Sequence, residues 1–518
     1  MHRVFHWLAI VLLVLLAIVV GGLLVVNRIA PPATGAPSHA LPSQPDQTGI
    51  DRELSPLLAA HPGKTGAIFL TDGIDAFAAR AISARKAGRS LDLQYYIWHN
   101  DLTGRLLASE ALDAAERGVR VRILLDDMNA YGLDGHLLAM DAHPNIELRL
   151  YNPFRNREGA GRAFELMRRL VSMNHRMHNK AWIADGQVAI IGGRNIGEQY
   201  FSADSEVNFR DLDLLLLGPA VQQASTIFDA YWNSAAAVPI SMLGSKDPEA
   251  LRTLLADVHR DARGADARRY LDHVADSQLV RDYYRSALQP HWSDGIQVVA
   301  DPPVKWTRDN HAEWLVERLT PMISSATSEA LVISPYFVPG DDGTARLTAL
   351  TGRGIHVGIV TNSLAANDVY AVHSGYADYR DRLLREGVNL YELRTNARDR
   401  KEPVFIGRRA ALHTKAFVVD GARGFVGSFN VDPRSKNLNT EMGVLLDDPV
   451  MALQLREEYL RLSHPALSYW VYRNKEGELR WLDRTPPSPV VLDQEPDAGF
   501  WRRAFVRFSG WLPIESQL

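Results

Sequence analysis

The chain has 518 residues, 46% of them apolar, no cysteine, and a formal charge of −4. That length and apolar content build a large core that divides into two or more domains, and the missing cysteines exclude disulfides, thiolate metal sites and cysteine nucleophiles. The slight acidity lacks the basic excess with which proteins hold nucleic acid through its phosphates, so no nucleic-acid partner is expected.

Trp7 to Val26 is an unbroken apolar stretch between Arg3 and Asn27-Arg28, long enough to cross a bilayer core as a helix. A cleaved secretory peptide normally carries an apolar part of only about 7–15 residues, so residues 1–30 are expected to form a retained single-pass transmembrane anchor. Residues 31–62 follow as a linker. Its first part, Pro31 to Gln47, is rich in Pro, Ala and Ser, a composition that stays extended and would hold the body off the membrane.

From residue 63 to 240 amphipathic helical segments alternate with strand patterns, among them Ser90–Trp98, a helix containing Leu106–Arg117, and the strand Gly118–Leu125. Residues 241–290 are polar and charge-rich and read as a helical linking insertion. The same order returns in 291–470, with strands at Ala330–Val338 and Gly354–Val360. Internal duplication is the economical explanation, and the alternation argues for an α/β fold with helices packed on sheets. Residues 471–518 form a C-terminal extension. Its run Phe500-Trp-Arg-Arg-Ala-Phe-Val-Arg-Phe-Ser-Gly-Trp-Leu512 suits either the headgroup region of an anionic bilayer or a terminal helix docked on the body with its arginines in water.

Each half carries one copy of a short constellation, His178-x-Lys180-x4-Asp185 and His413-x-Lys415-x4-Asp420, with Asn195 and Asn430 at the same offset from their histidines. His and Lys two apart at the start of an apolar run leave a strand from one face. Asp185-Gly186 and Asp420-Gly421 lie between short apolar runs, a strong hairpin-turn signal. The two aspartates are counted with the catalytic set because they belong to the repeated pattern, but that position also gives them a turn-shaping role.

If the halves pack about a pseudo-twofold axis, two imidazoles, two ammonium groups and two carboxamides surround one small anion, and a phosphodiester suits that enclosure. The lysines neutralise its non-bridging oxygens while Asn195 and Asn430 donate to them. One histidine attacks phosphorus; the other protonates the departing alcohol and then deprotonates its replacement. An ammonium beside each histidine repels a divalent cation, so no metal or other cofactor is expected. Asp211, in Phe209-Arg-Asp-Leu-Asp213, and Glu441, in Leu438-Asn-Thr-Glu441, are assigned as carboxylates that orient the imidazoles; a solvated strand-edge acid is the alternative at each place.

The doubled His-x-Lys-x4-Asp followed by Gly-Gly/Ser-x-Asn resembles the phospholipase D superfamily. Gly192-Gly-Arg-Asn-Ile-Gly197, Ser334-Pro-Tyr-Phe-Val-Pro339, Val372-His-Ser-Gly-Tyr376, Gly427-Ser-Phe-Asn-Val-Asp-Pro-Arg-Ser435, Leu438-Asn-Thr-Glu-Met-Gly443 and the ending Leu512-Pro-Ile-Glu515 are similar to the bacterial cardiolipin synthase branch, its C-type members most of all. The resemblance implies two pseudo-symmetric α/β/α sandwich lobes sharing one site. It implies a phosphatidyl-histidine intermediate and transfer from phosphatidylglycerol to a second phospholipid, phosphatidylglycerol or phosphatidylethanolamine, giving cardiolipin at a bacterial inner membrane with a periplasmic body. By analogy the nucleophile is His178 and the acid/base His413, an order that pseudo-symmetry leaves open, and a substrate-pocket role falls to His373 and Tyr376, with ordinary packing equally open. Familiar synthases of the branch carry two N-terminal spans and this chain one. The first copy has Gly193 where the second has Ser428, whose hydroxyl is expected at the substrate and makes the half-sites unequal. A hydrolytic phospholipase D releasing phosphatidic acid, a nuclease or other phosphodiesterase, and a non-catalytic membrane scaffold are the alternatives.

Overall fold

Short apolar runs punctuated by Asp, Gly and Pro become two large mixed sheets. The computed structural model describes residues 35–157, 165, 174–307, 311–395, 409–485, 488–509 and 515–517, apart from 43 and 45. The anchor expected over residues 1–30 lies outside them, and among the described residues no helix is long and apolar enough to cross a membrane.

In chain order the first half runs α1 (Gly49–Ala60), β1 (Thr65–Leu70), α2 (Gly73–Lys86), β2 (Ser90–Tyr95), α3 (Leu102–Glu116), β3 (Arg120–Asp126), α4 (Asp134–Asp141), β4 (Ile146–Tyr151), β5 (Ala181–Ala184), β6 (Val188–Gly192), β7 (Val207–Arg210), β8 (Asp213–Leu217), α5 (Pro219–Trp232) and β9 (Ala237–Pro239). Helices α6 (Pro248–Ala262), α7 (Ala265–Ala275) and α8 (Gln278–Tyr284) follow, then β10 (His291–Ser293). The second half runs β11 (Ile296–Ala300), α9 (Leu315–Ser324), β12 (Glu329–Ile333), α10 (Gly340–Gly352), β13 (His356–Asn362), α11 (Tyr370–Arg385), β14 (Asn389–Leu393), β15 (Arg409–Leu412), β16 (Ala416–Val419), β17 (Arg423–Gly427), α12 (Pro433–Asn437), β18 (Met442–Asp447), α13 (Pro449–Leu462), β19 (Ser468–Arg473), β20 (Leu479–Asp483), β21 (Val490–Leu492) and α14 (Phe500–Ser509).

The first sheet is ordered β10-β1-β8-β6-β5-β2-β3-β4-β9 and the second β11-β18-β17-β16-β12-β13-β14-β19-β20-β21. Their central seven strands match one for one, with β2, β3 and β4 parallel like β12, β13 and β14. Carboxylate caps start the helices that cover them: Asp72 accepts from the Ile74 and Asp75 amides, and Asp448 caps α13 with Pro449 in its first turn. Phe77, Ala81 and Ala84 of α2 bury against Leu91, Leu93 and Tyr95 of β2. Another apolar cluster joins the halves, with Ile183, Ile191 and Leu214 of the first sheet and Val418, Val426 and Val444 of the second. The backbones also meet directly. β7 pairs in parallel with β15, and Met177 bridges Thr440.

Three expectations are corrected. The linker is not free-standing: Ser38 and Ala40 donate to Asn233 and Asp229 of the α5 region, while Arg149 and Arg122 donate to the carbonyls of Ala36 and Ser38. Buried arginines that need acceptors strap this segment to the first sheet, and α1 then takes residues 49–60. The boundary at 291 shifts, because β10 completes the first sheet by pairing with β1. The boundary at 470 shifts too, because β19, β20 and β21 extend the second sheet to Leu492.

Asp185 and Asp420 sit at the far ends of β5 and β16, roughly 20 Å along the chain from the histidines at about 3.3 Å per residue. Asp185 accepts from three successive amides, Gly88, Arg89 and Ser90, at 2.8–3.2 Å. Asp420 accepts from the amides of Thr327, Ser328 and Glu329 at 2.7–3.0 Å, and from two of their hydroxyls. Both have positive φ, as do Gly186 and Gly421 after them, the type I′ turn geometry, closed by the amides of Gln187 and Ala422 donating to the carbonyls of Ala184 and Val419. This corrects their place in the catalytic set: their carboxylates are committed to backbone. Asp185→Ala leaves three amides without their acceptor and is expected to lower unfolding free energy by at least about 2 kcal/mol in denaturant titration, with Asp185→Asn milder.

Candidate active site

The histidines stand just before β5 and β16, where the two halves meet. The amide of His178 donates to the carbonyl of Thr440 at 2.9 Å, and the amide of His413 to that of Arg210 at 2.8 Å. Thr440 and Arg210 are the residues immediately before Glu441 and Asp211. The next atoms therefore meet as well: His178 Nδ1 lies 2.8 Å from Glu441 Oε2 and His413 Nδ1 2.5 Å from Asp211 Oδ2. The pairing is crossed, each imidazole held by the carboxylate of the other half. A carboxylate only accepts, so each Nδ1 carries the proton and each Nε2 keeps its lone pair.

Aromatic edges fix the rings further. Tyr96 meets His178 at 5.1 Å between centroids, and Tyr200 and Phe209 each meet His413 at 5.2 Å. Each lysine folds back on its own motif, Lys180 Nζ donating to the His178 carbonyl at 2.6 Å and Lys415 Nζ to that of His413.

Burial governs the charge states. It pushes His178 down to about 4, helped by Lys180 and Lys415 against the pull of Glu441; His413 is lowered by burial and by both lysines against Asp211. Burial would raise Glu441 and Asp211, but the facing imidazole and lysine outweigh it and hold both carboxyls below their ordinary range. Burial pushes Lys415 down to about 8 and Lys180 well below its usual value, with Lys415 adding to the latter. Each lysine feels both carboxylates, so all six groups lie within one electrostatic neighbourhood.

The remaining candidates fall unequally. Asn195 accepts from the Ile97 amide and donates to the Tyr200 hydroxyl. Asn430 is buried, its Oδ1 unpartnered among the described residues. Ser428 departs from expectation: its hydroxyl donates to Glu441 Oε2, the oxygen that faces His178, and accepts from the Met442 amide. It supports the carboxylate instead of reaching for substrate. At Gly193 a Cβ would come within 2.1 Å of Asp211 Oδ1; the shorter acid fills the space that a serine side chain occupies in the other half. His373 and Tyr376 do not line the site either. They are buried in a cluster with Glu495, Glu392 and Arg380.

Sequence reasoning missed Tyr96, Tyr200 and the pair Asp301–Lys305, which pins the Glu441 amide at 2.9 Å and closes at 3.0 Å. The apolar alternation of β2 ending in Tyr95-Tyr96 was a usable signal for the first. For the others no local pattern points across the halves.

The arrangement can therefore supply two neutral imidazoles, whose Nε2 atoms have no partner among the described residues, and two buried cations around one anion. A family model described as "Cardiolipin synthase, PLD-like domain" matches residues 82–232 and 319–463. The chain belongs to the cardiolipin synthase family. Cardiolipin synthase C of Escherichia coli (strain K12) is 39% identical over 478 residues, spanning 89% of this chain and 98% of that one. An uncharacterized protein of Helicobacter pylori (strain J99) is 32% identical over 464 residues, spanning 88% and 90%. Among solved structures, phosphatidylserine synthase of Haemophilus influenzae Rd KW20 superposes with a TM-score of 0.57 at 11% identity, covering 90% of this chain and 99% of that one, a likeness of fold. As a member of this family the protein is a phosphatidyltransferase of the phospholipase D superfamily.

Gly193→Ser tests the unequal support of the two acids. The added Cβ displaces the Asp211 carboxylate from His413, so turnover should fall at least tenfold while Ser428→Gly, which removes one donor from Glu441, costs less. For pH, His178 is neutral in the folded chain down to about 4 but protonates near 6.5 once unfolded. Its stability contribution is fully present above 6.5 and is lost as pH falls through about 4. His178→Asn should make the decline of unfolding free energy between those values shallower.

Proposed function

We propose that the protein makes cardiolipin by phosphatidyl transfer, with phosphatidylglycerol as donor and a second phosphatidylglycerol or phosphatidylethanolamine as acceptor. The observation that carries this reading is the crossed Glu441–His178 and Asp211–His413 pairing around two buried lysines. Burial depresses both lysines, and a bound phosphodiester supplies the charge that favours their protonated forms.

His178, neutral at physiological pH, attacks phosphorus through Nε2. A P–N bond forms and the P–O bond to the headgroup breaks, while His413, whose imidazolium form is favoured by the charge of the bound phosphodiester and by Asp211, delivers its proton to the departing alkoxide oxygen. Neutral His413 then takes the proton from the acceptor hydroxyl, whose oxygen attacks phosphorus as the P–N bond breaks. Cardiolipin leaves and both rings return to their starting states. Lys180, Lys415 and the Asn195 and Asn430 amides meet the charge that grows on the non-bridging oxygens. Asp211 and Glu441 stabilise the imidazolium forms. Residues 1–30 anchor the protein in a bacterial inner membrane, with the body on the periplasmic side and its lipid substrates in the adjoining leaflet.

Purified protein supplied with phosphatidylglycerol, with and without phosphatidylethanolamine, should yield cardiolipin. Phosphatidic acid as the main product would make the protein a hydrolase, and neither product would leave a nuclease or scaffold. His178→Ala and His413→Ala should each lose at least a thousandfold, and Lys415→Ala about 3 kcal/mol of transition-state stabilisation, roughly a hundredfold. A trapped adduct on the peptide carrying His178 supports the assigned order; one on His413 exchanges the two roles.

A further inference from the structure

Helix α14 docks by a narrow side. Val506 is buried with Leu364 and Ala498, against which Tyr370 packs; Arg502 lies over the Tyr370 ring at 5.1 Å and donates to the Ala365 carbonyl. The opposite side is left open: Phe500 is 68% exposed, Trp501 81%, Phe505 50% and Phe508 62%. At about 100° per residue, Trp501, Phe505 and Phe508 fall in one strip some 60° wide. Arg502 borders it on one side and is turned to the body, Arg503 lies on the opposite face and donates to the Ala498 carbonyl, and Arg507 lies exposed beyond the other border. The helix contains no acidic residue.

The segment on which α14 rests also rims the candidate site. Asp368 accepts from the Tyr336 hydroxyl and contributes to the field at Lys415, and Val369 beside it is exposed. In the first half the loop after β3 is equivalent. Asn129 donates to the carbonyl of Tyr96, whose ring meets His178, and Met128 and Tyr131 of that loop are exposed. Exposed apolar side chains thus collect at the site-bearing ends of the parallel strands in both halves.

We propose that this end is a membrane-docking face, with the aromatic strip of α14 seated at headgroup depth in an anionic bilayer and the mouth of the site turned towards the lipid. Large aromatic rings with an exposed arginine beside them match that layer: the rings displace interfacial water and the Arg507 guanidinium pairs with lipid phosphate. A helix with exposed Arg507 and no acid of its own favours an anionic surface over a second copy of the chain, whose identical helix would set arginine against arginine. The inference draws on the lipid-transfer reading only for why such a face lies beside this site.

The absence of native cysteine permits a direct test. In the full chain, Phe505→Cys and, separately, Glu476→Cys carry an environment-sensitive fluorophore, and the protein is reconstituted into vesicles of phosphatidylcholine with or without phosphatidylglycerol. Glu476 is exposed in the turn between β19 and β20, at the sheet end opposite the site. The 505 label should shift to the blue and be quenched by shallow lipid-borne quenchers, more strongly with phosphatidylglycerol, while the 476 label stays aqueous. Adding Trp501→Asp and Phe508→Asp should abolish the shift. A 505 label as aqueous as the 476 label in both vesicles overturns the proposal. So does efficient 505–505 disulfide formation between chains, which would place a second copy on this face. Because the label reports docking without turnover, its result is independent of whether cardiolipin is formed.

Discussion

The crossed hydrogen bonds between imidazole and carboxylate are the constraint on which the rest of the architecture depends. A ring nitrogen held 2.5–2.8 Å from a carboxylate oxygen tolerates little drift, and here the two partners belong to different sheets. The apolar contact between the sheets, the parallel pairing of β7 with β15 and the bridge at Met177 and Thr440 all act to hold that separation. Interface packing and site geometry are consequently one problem. A change that lets the halves slide would loosen both rings at once, even if it lay in the apolar layer far from any charge.

The electrostatics follow from the same placement. Two lysines, two imidazoles and two carboxylates buried together form a cluster whose charges are balanced only in part. Withdrawal from water lowers the lysines and the imidazoles, while the carboxylates stay ionised because imidazole and ammonium face them. Such an arrangement is costly by itself and becomes more favourable as negative charge grows on the phosphoryl oxygens in the transition state, which is the differential stabilisation that transfer chemistry requires.

Much of this was legible in the sequence because its signals are local. The doubled His-x-Lys, the Asp-Gly turns and the apolar runs of β2, β3, β12 and β13 are short-range patterns, and each mapped onto an element within a few residues. Ala330–Val338 overran because Pro335 ends the ladder, leaving β12 at Glu329–Ile333. What escaped was the traffic between distant segments. Nothing near Glu441 says that its partner is His178, so the local pattern offers Ser428, which serves that carboxylate, as a substrate ligand. The segment at 36–40 looked like linker because its acceptors answer Arg122 and Arg149, more than eighty residues away. Residues from 471 read as an extension because the strands there, at the edge of the sheet, have mixed polar and aromatic patterns.

The crossing also makes the two halves interdependent. A single half presents an imidazole with no carboxylate and a carboxylate with no imidazole, so neither sheet, however well folded, can steady a ring by itself. Nor are the half-sites interchangeable: the glycine at 193 leaves room for the aspartate, while the serine at 428 donates to the glutamate, two separate solutions to holding one ring.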